Sequence, residues 1–333
     1  MRLLRVTLGV TLHPQVRVAR EAARFRDERE TYFPVDDRER RAQPLKGLRR
    51  KYRVLVLALI CACSAPLFAA EPQGVLKKIK TAKTITLGYS ESAVPFSFLG
   101  DDNRPQGYSV DLCKRVAEGI QSQLGLTELN IKWVKVDVST RIQAAARGQV
   151  DIECGSTTHT LTREEKVDFS NMIFVDGGSY ISKVRSKIVT IKDLAGRKIS
   201  VIPGTTTEKV LKTALDQAEV KAEIVPVRTH AEGYSALRED RIDAYASDRI
   251  ILIRLALNGI DAASYRLSDE MFSYEPYALM MRRDADFRLA VNRELARLYR
   301  SGDVLNLYAR WYGPLGEPST LLKAMYFLNA LPE

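Results

Sequence analysis

The stretch VDIECGSTTHTLTREE, residues 150–165, reads as a β-strand that runs into a helix through a loop of short hydroxyl side chains. Apolar residues alternate over Val150, Ile152 and Cys154, and Gly155 stops the run. Ser156, Thr157, Thr158 and Thr160 follow, and TREE predicts a helix start with Thr162 as cap and Glu165 closing a capping box. Open α/β sheets bind ligands at the carboxyl ends of their strands, where loops and helix N-termini present N–H groups. Arg163 adds a planar fork that matches a carboxylate. The hydroxyls of Ser156 and Thr158 can accept from an ammonium and donate to a carboxylate. A carboxylate and an ammonium in one small volume describe a free α-amino acid. Taken alone, the segment also fits a capped surface turn with a solvated arginine.

A second stretch repeats the device. SVIPGTTTEK, residues 200–209, is a strand, then Gly204, then Thr205, Thr206 and Thr207 opening a helix whose positive end suits an anion. AYASDRI, residues 244–250, puts Asp248 just past a strand, where its carboxylate suits an ammonium.

Outward from these loops, strand-like and helix-like runs alternate. TITLGYS, YSVDLCKRVAEGIQSQLG, NIKWVKVDV, TRIQAAARGQV and VDIECG form one series. DLAGRKISVIPG, TTEKVLKTALDQA, AEIVPV, HAEGYSALRED, IDAYASD and RIILIRLALNG form another. The pattern predicts an α/β protein of two lobes, each a largely parallel sheet with helices on both faces. FVDGGSYISKV, residues 174–184, and YEPYALMMRRD, residues 274–284, read as two strands crossing between the lobes. Such crossings make a hinge, with the ligand cleft between. The expected division is residues 71–177 plus 277–333 for the first lobe and 178–276 for the second.

Charge narrows the partners. The 333 residues carry a formal net charge of +10, but residues 1–70 hold 15 Lys and Arg against 7 Asp and Glu. The remainder holds 36 against 34, a nearly neutral body with no basic stripe for a phosphate backbone, so no nucleic-acid partner is expected. The surplus surrounds KGLRRKYRVLVLALICACSAPLFAAEPQG, which has the basic, apolar and small-residue order of a signal peptide over residues 46–70. Its apolar run is too short for the ~20 residues that span a bilayer. Residues 1–45 are charged and aperiodic, and are read as a disordered or mis-assigned extension. Export to the periplasm follows, with lipid anchoring at Cys63 as an alternative.

After cleavage, Cys113 and Cys154 remain in an oxidising compartment. Either they pair or they are two separate buried thiols. With only His159 and His230 left, neither a metal site nor a histidine-based catalytic unit is expected, and no phosphate-loop or dinucleotide motif occurs. No cofactor is implied; the chain is equipped to hold a ligand, not to transform it.

The order GYSESAVPFSF, GYSVDLC, TRIQAAARGQVDIECGSTTHTLTREEKVDFS, IPGTTTE and ASD resembles the periplasmic amino-acid-binding proteins of ABC importers, the family 3 solute-binding proteins. The likeness covers roughly residues 75–315 and is strongest to the glutamate/aspartate members. It implies the two-lobed, type II periplasmic-binding fold, a monomer that hands a free amino acid to a membrane permease, and a set of roles. Arg163, Thr158 and Thr206, with Thr205 beside them, would hold the α-carboxylate, and Ser156 and Asp248 the ammonium. Arg141 and His230 would meet a side-chain carboxylate. Ser90 stands where those members carry an arginine, and Val138 where they carry a serine, so glutamine or asparagine is the alternative ligand. A periplasmic dehydratase on the same scaffold is a further alternative, with Glu91 or His230 as its acid or base. A sensor input domain is another.

Overall fold

In a computed structural model, residues 73–257 and 262–333 are described. The extension, the signal segment and Cys63 lie outside them. The chain opens with α1 (Gly74–Ala82), β1 (Thr84–Tyr89), three short strands β2 (Ser92–Ala93), β3 (Ser97–Leu99) and β4 (Pro105–Gln106), and α2 (Tyr108–Gln123). Then come β5 (Asn130–Lys135), α3 (Arg141–Ala146), β6 (Ile152–Glu153), α4 (Leu161–Glu164) and β7 (Asp168–Asp176). The second series is β8 (Gly178–Lys183), β9 (Lys198–Val201), α5 (Thr206–Gln217), β10 (Glu223–Pro226), α6 (His230–Arg238), β11 (Ala244–Asp248), α7 (Arg249–Leu257) and β12 (Tyr265–Leu267). The chain returns through β13 (Glu275–Met281) to α8 (Ala285–Ser301), α9 (Asp303–Tyr312) and α10 (Thr320–Leu328).

Two five-stranded sheets result, ordered β5-β1-β6-β13-β7 and β10-β9-β11-β8-β12. The βα units give the parallel pairs expected of them, β5-β1-β6 in one sheet and β10-β9-β11 in the other. Both sheets are nonetheless mixed: β13 runs antiparallel to β6 and β7, and β8 runs antiparallel to β11 and β12. A strand that enters a sheet directly from the other lobe has no crossover helix to reverse it, so it can only run against its neighbours.

Each sheet is buried on both faces, because its strands carry apolar residues at successive positions. On β13, Leu279 and Met281 join the core beneath α2 and α8, while Ala278 and Met280 face Ala144 and Ala145 of α3. On β11, Ala244 and Ala246 meet Leu211 and Leu215 of α5, and Tyr245 packs with Leu237 of α6 and Leu252 of α7.

The chain crosses between lobes twice, at Gly177 between β7 and β8 and again between β12 and β13. The glycine pair has a steric reason. A Cβ on Gly177 would stand 2.9 Å from the carbonyl oxygen of Ser273, and one on Gly178 would stand 2.6 Å from its Oγ. The two crossings therefore pass side by side only because one lacks side chains. Cys113 of α2 and Cys154, just past β6, form a disulfide, which fixes the strand end that feeds the hydroxyl loop.

Candidate functional site

The loop after β6 is held by the hinge strand. Ala278 N donates to Thr157 O at 3.2 Å, and Thr158 forms an isolated bridge with Tyr277. The following helix starts earlier than its sequence suggests. Thr160 is its cap and accepts from Arg163 N, because the helix begins at Leu161; Thr162 lies inside it. In the second lobe Thr205 caps α5, accepting from Glu208 N at 3.0 Å and donating to Ile202 O at 2.7 Å. Its hydroxyl is thus spent on the helix end, and Thr206 and Thr207 are the ones free to turn toward other groups.

The loops of the two lobes line a common cleft. Its narrow inner part is bordered by Arg141, Ser156, Thr158, Thr205, Thr206, His230 and Asp248, with Val138 and Thr207 beside them. A wider cavity of about 880 Å³ shares Arg141, Ser156 and His230 and extends along Ser90, Lys135 and Arg228. Eight of the nine residues singled out in the sequence thus border this cleft. Arg163 does not line these two cavities itself; it is half-buried, its Nη1 donates to Thr158 O at 2.6 Å, and it is near enough to Arg141, Glu153, Glu275 and Asp248 to feel their charges. Burial and the neighbouring positive charge of Arg141 pull it down to about 10, so it stays charged at neutral pH.

Arg141 opens α3 and is 9 % exposed; its buried Nε has no hydrogen-bond partner among the described residues. Buried guanidinium groups are ordinarily paired, so this one is a cation presented to the cleft. His230, at the start of α6, is bonded through Nδ1 to Tyr245 Oη at 2.8 Å, with Ser247 Oγ at 3.3 Å. Burial, followed by repulsion from Arg141, lowers it to about 4. At neutral pH it is an uncharged imidazole. A neutral imidazole carries one N–H and one acceptor nitrogen, so His230 offers the site hydrogen-bonding capacity and not a second cation.

Asp248 lines the inner cleft and Glu153 the wider cavity, with further buried carboxylates nearby. Asp248 accepts from Thr207 Oγ1 at 2.8 Å and from Tyr277 Oη, and burial together with Glu275 raises it to about 6. Asp176, at the end of β7, is raised to about 7 by burial and by Asp248, although it accepts from Ile250 N at 2.9 Å. Glu153 of β6 is also raised, burial outweighing the pull of Arg141 and the hydrogen bond from Thr157. Glu275, Tyr277 and Glu153 carry no signal of a site in the sequence, where YEPYALMM and VDIEC read simply as strands, beyond a glutamate in an otherwise apolar strand. Of the nearby aromatic residues, Phe96 is core, edge-on to Phe174 and Tyr277, and Tyr89 meets Trp133.

A family model described as bacterial extracellular solute-binding proteins, family 3, matches residues 85–314. The chain belongs to this family. Among its relatives, the L-glutamate/L-aspartate-binding protein of Pseudomonas aeruginosa is 36 % identical over 262 residues, 78 % of this chain and 87 % of that protein. The glutamate/aspartate import solute-binding protein of Escherichia coli is 27 % identical over 261 residues, 78 % of this chain and 86 % of that one. Among solved structures, the ancestral amino acid-binding protein AncCDT-1, a precursor of cyclohexadienyl dehydratase, superposes with a TM-score of 0.64 at 26 % identity. That match covers 72 % of this chain and all of the ancestral one. An arginine-binding protein mutant from T. maritima gives the same TM-score at 23 % identity, with the same coverage of both chains, and supports the fold alone.

Proposed function

We propose that this chain is the substrate-binding component of an ABC-type importer, and that it captures an acidic L-amino acid, glutamate or aspartate, between its lobes. The observation that carries this reading is Arg141, a buried cation at the cleft whose Nε lacks a protein partner. Beside it, neutral His230 adds a hydrogen-bonding group without adding charge, and as its Nε2–H tautomer it would donate to a carboxylate that Arg141 already neutralises. Ser156 and Asp248 receive the ammonium, and the loop from Ser156 to Thr158 with the N-terminus of α5 faces the α-carboxylate. Two named relatives bind or import these same two amino acids. The protein acts by capture and release, with no turnover, as a monomer that docks on a membrane permease. It reaches the periplasm through the signal segment at residues 46–70.

The test is a thermal-shift screen against the twenty amino acids, since a ligand that binds only the folded state raises the melting temperature by mass action. Calorimetry with glutamate, aspartate, glutamine and asparagine follows. Glutamate or aspartate should bind at least tenfold more tightly than its amide, about 1.4 kcal/mol. Equal affinity for acids and amides would refute acidic specificity, and conversion of prephenate-type substrates would refute the binding role.

A further inference from the structure

Glu275 is the first residue of β13, fully buried at the point where the second crossing enters the first sheet. Its backbone pairs with Asp176, the last residue of β7 before the first crossing. Its Oε2 accepts from Thr158 Oγ1 at 2.5 Å and from Thr206 Oγ1 at 2.6 Å, and its Oε1 accepts from Ser273 Oγ at 2.6 Å. Thr158 belongs to the hydroxyl loop of the first lobe, and Thr206 opens α5 in the second. One carboxylate therefore ties the two walls of the cleft together, with no Lys or Arg in ion-pair contact among the described residues.

A threonine hydroxyl has one proton. While Thr158 and Thr206 donate to Glu275, each can offer a ligand only lone pairs. A ligand α-carboxylate that uses these two donors must take both protons from Glu275. Two carboxylates thus compete for one pair of donors that spans the cleft. We propose that Glu275 is a positioning residue that latches Thr158 and Thr206 across the lobes and is exchanged for the ligand's α-carboxylate, so that it sets the affinity without touching the ligand. This deepens the amino-acid reading and rests on it.

The sign of a mutational effect separates a latch from a structural support. If the bonds to Glu275 are given up on binding, weakening them destabilises only the competing latched arrangement, and affinity rises. If they persist in the complex, weakening them destabilises the complex, and affinity falls. Glu275→Gln replaces two charge-assisted bonds by neutral ones about half as strong, so calorimetry should find glutamate bound about tenfold more tightly. Isoglutamine, whose α-carboxylate is an amide, competes poorly for hydroxyl protons and should gain less than about threefold. Glu275→Asp keeps the charge but draws it back by one methylene, and should also tighten glutamate, which separates hydrogen bonding from charge.

Small-angle scattering without added amino acid supplies the second readout: both variants should show a larger radius of gyration than the wild type as the latch opens. Tighter glutamate binding with expansion supports the latch. Weaker binding, equal gains for glutamate and isoglutamine, or unchanged affinity and radius overturns it. If the wild type binds no amino acid yet the variants still expand, the amino-acid reading fails while the tie between the lobes stands.

Discussion

Replacing Arg141 by methionine should move stability and affinity in opposite directions, and the structure sets both magnitudes. The guanidinium is 9 % exposed, with its Nε unpartnered among the described residues. Removing an ion from such a place and substituting an apolar chain of similar length typically gains on the order of 1–2 kcal/mol when no protein partner is stranded. For a domain of this size that is about 2–4 °C in melting temperature without ligand. Relief of repulsion toward Arg163 adds to it, while loss of the pull of Arg141 on the buried carboxylates of Glu153 and Asp248 subtracts from it. The same change removes a charge-assisted hydrogen bond to the ligand's side-chain carboxylate, worth about 1.5–3 kcal/mol, so glutamate should bind roughly 10- to 150-fold more weakly. Glutamine offers the site a neutral carbonyl and should lose less than about tenfold. Differential scanning fluorimetry without ligand and calorimetry with both amino acids read the two effects separately. A fall in melting temperature would mean that Arg141 supports the fold, and equal losses for glutamate and glutamine would mean that it does not meet the second carboxylate. Either result refutes the reasoning.

Three further outcomes follow from the same geometry. Replacing Cys113 and Cys154 by serine opens a loop with a separation of 41 residues, and the chain-entropy estimate for a loop of that order is about 4 kcal/mol; denaturant titration should show a loss of that order, with the unfolding slope reporting any change in the denatured state. His230 has its folded value lowered to about 4 against an unfolded value near ~6.5, so the unfolded chain takes up its proton first and stability falls as pH drops from about 6.5 to about 4. His230→Gln should flatten that limb of the melting-temperature profile. Asp176 has the opposite sign: its folded value is raised to about 7, so the stability it contributes is complete below ~3.9 and is lost as pH climbs through about 7. Asp176→Asn should therefore raise the melting temperature by a few degrees at pH 8 and hardly change it near pH 4, and a variant that melts lower at pH 8 would refute the assignment.

The alternation of strands and helices was legible because each βα unit carries its own signal: a run of period two, a glycine, a hydroxyl cap and a run of period 3.6. The paired glycines at 177 and 178 marked the first crossing for a reason now visible, since Ser273 lies against them. What the sequence could not carry was the direction of the strands that cross between lobes. β8 and β13 look like any other strand, and their antiparallel pairing is set by where the chain comes from. The start of α4 was misplaced for a related reason: in a run of threonines any hydroxyl can cap, and tertiary position chose Thr160 over Thr162.

The candidate site was legible only where a residue type had a single plausible use. Ser156, Thr158, Thr206 and Asp248 stood out because a charge or hydroxyl at a strand end or helix start suits a cleft, whereas Arg141 and His230 were indicated only by the family resemblance. Glu153, Glu275 and Tyr277 were passed over because strand residues are read for their alternation, and a polar residue at a buried position shows its partners only when the fold brings them together. Those partners change the meaning of the residues that were found. Asp248 is no free carboxylate, since Tyr277 and Thr207 already bond it, and Thr158 and Thr206 already donate to Glu275. A ligand therefore enters a hydrogen-bond network that is largely satisfied and must exchange its bonds for existing ones. Net affinity then depends on what the network gives up as much as on what the ligand contributes, and Arg141, with its unpartnered Nε, is the place where a bond can be gained without losing another.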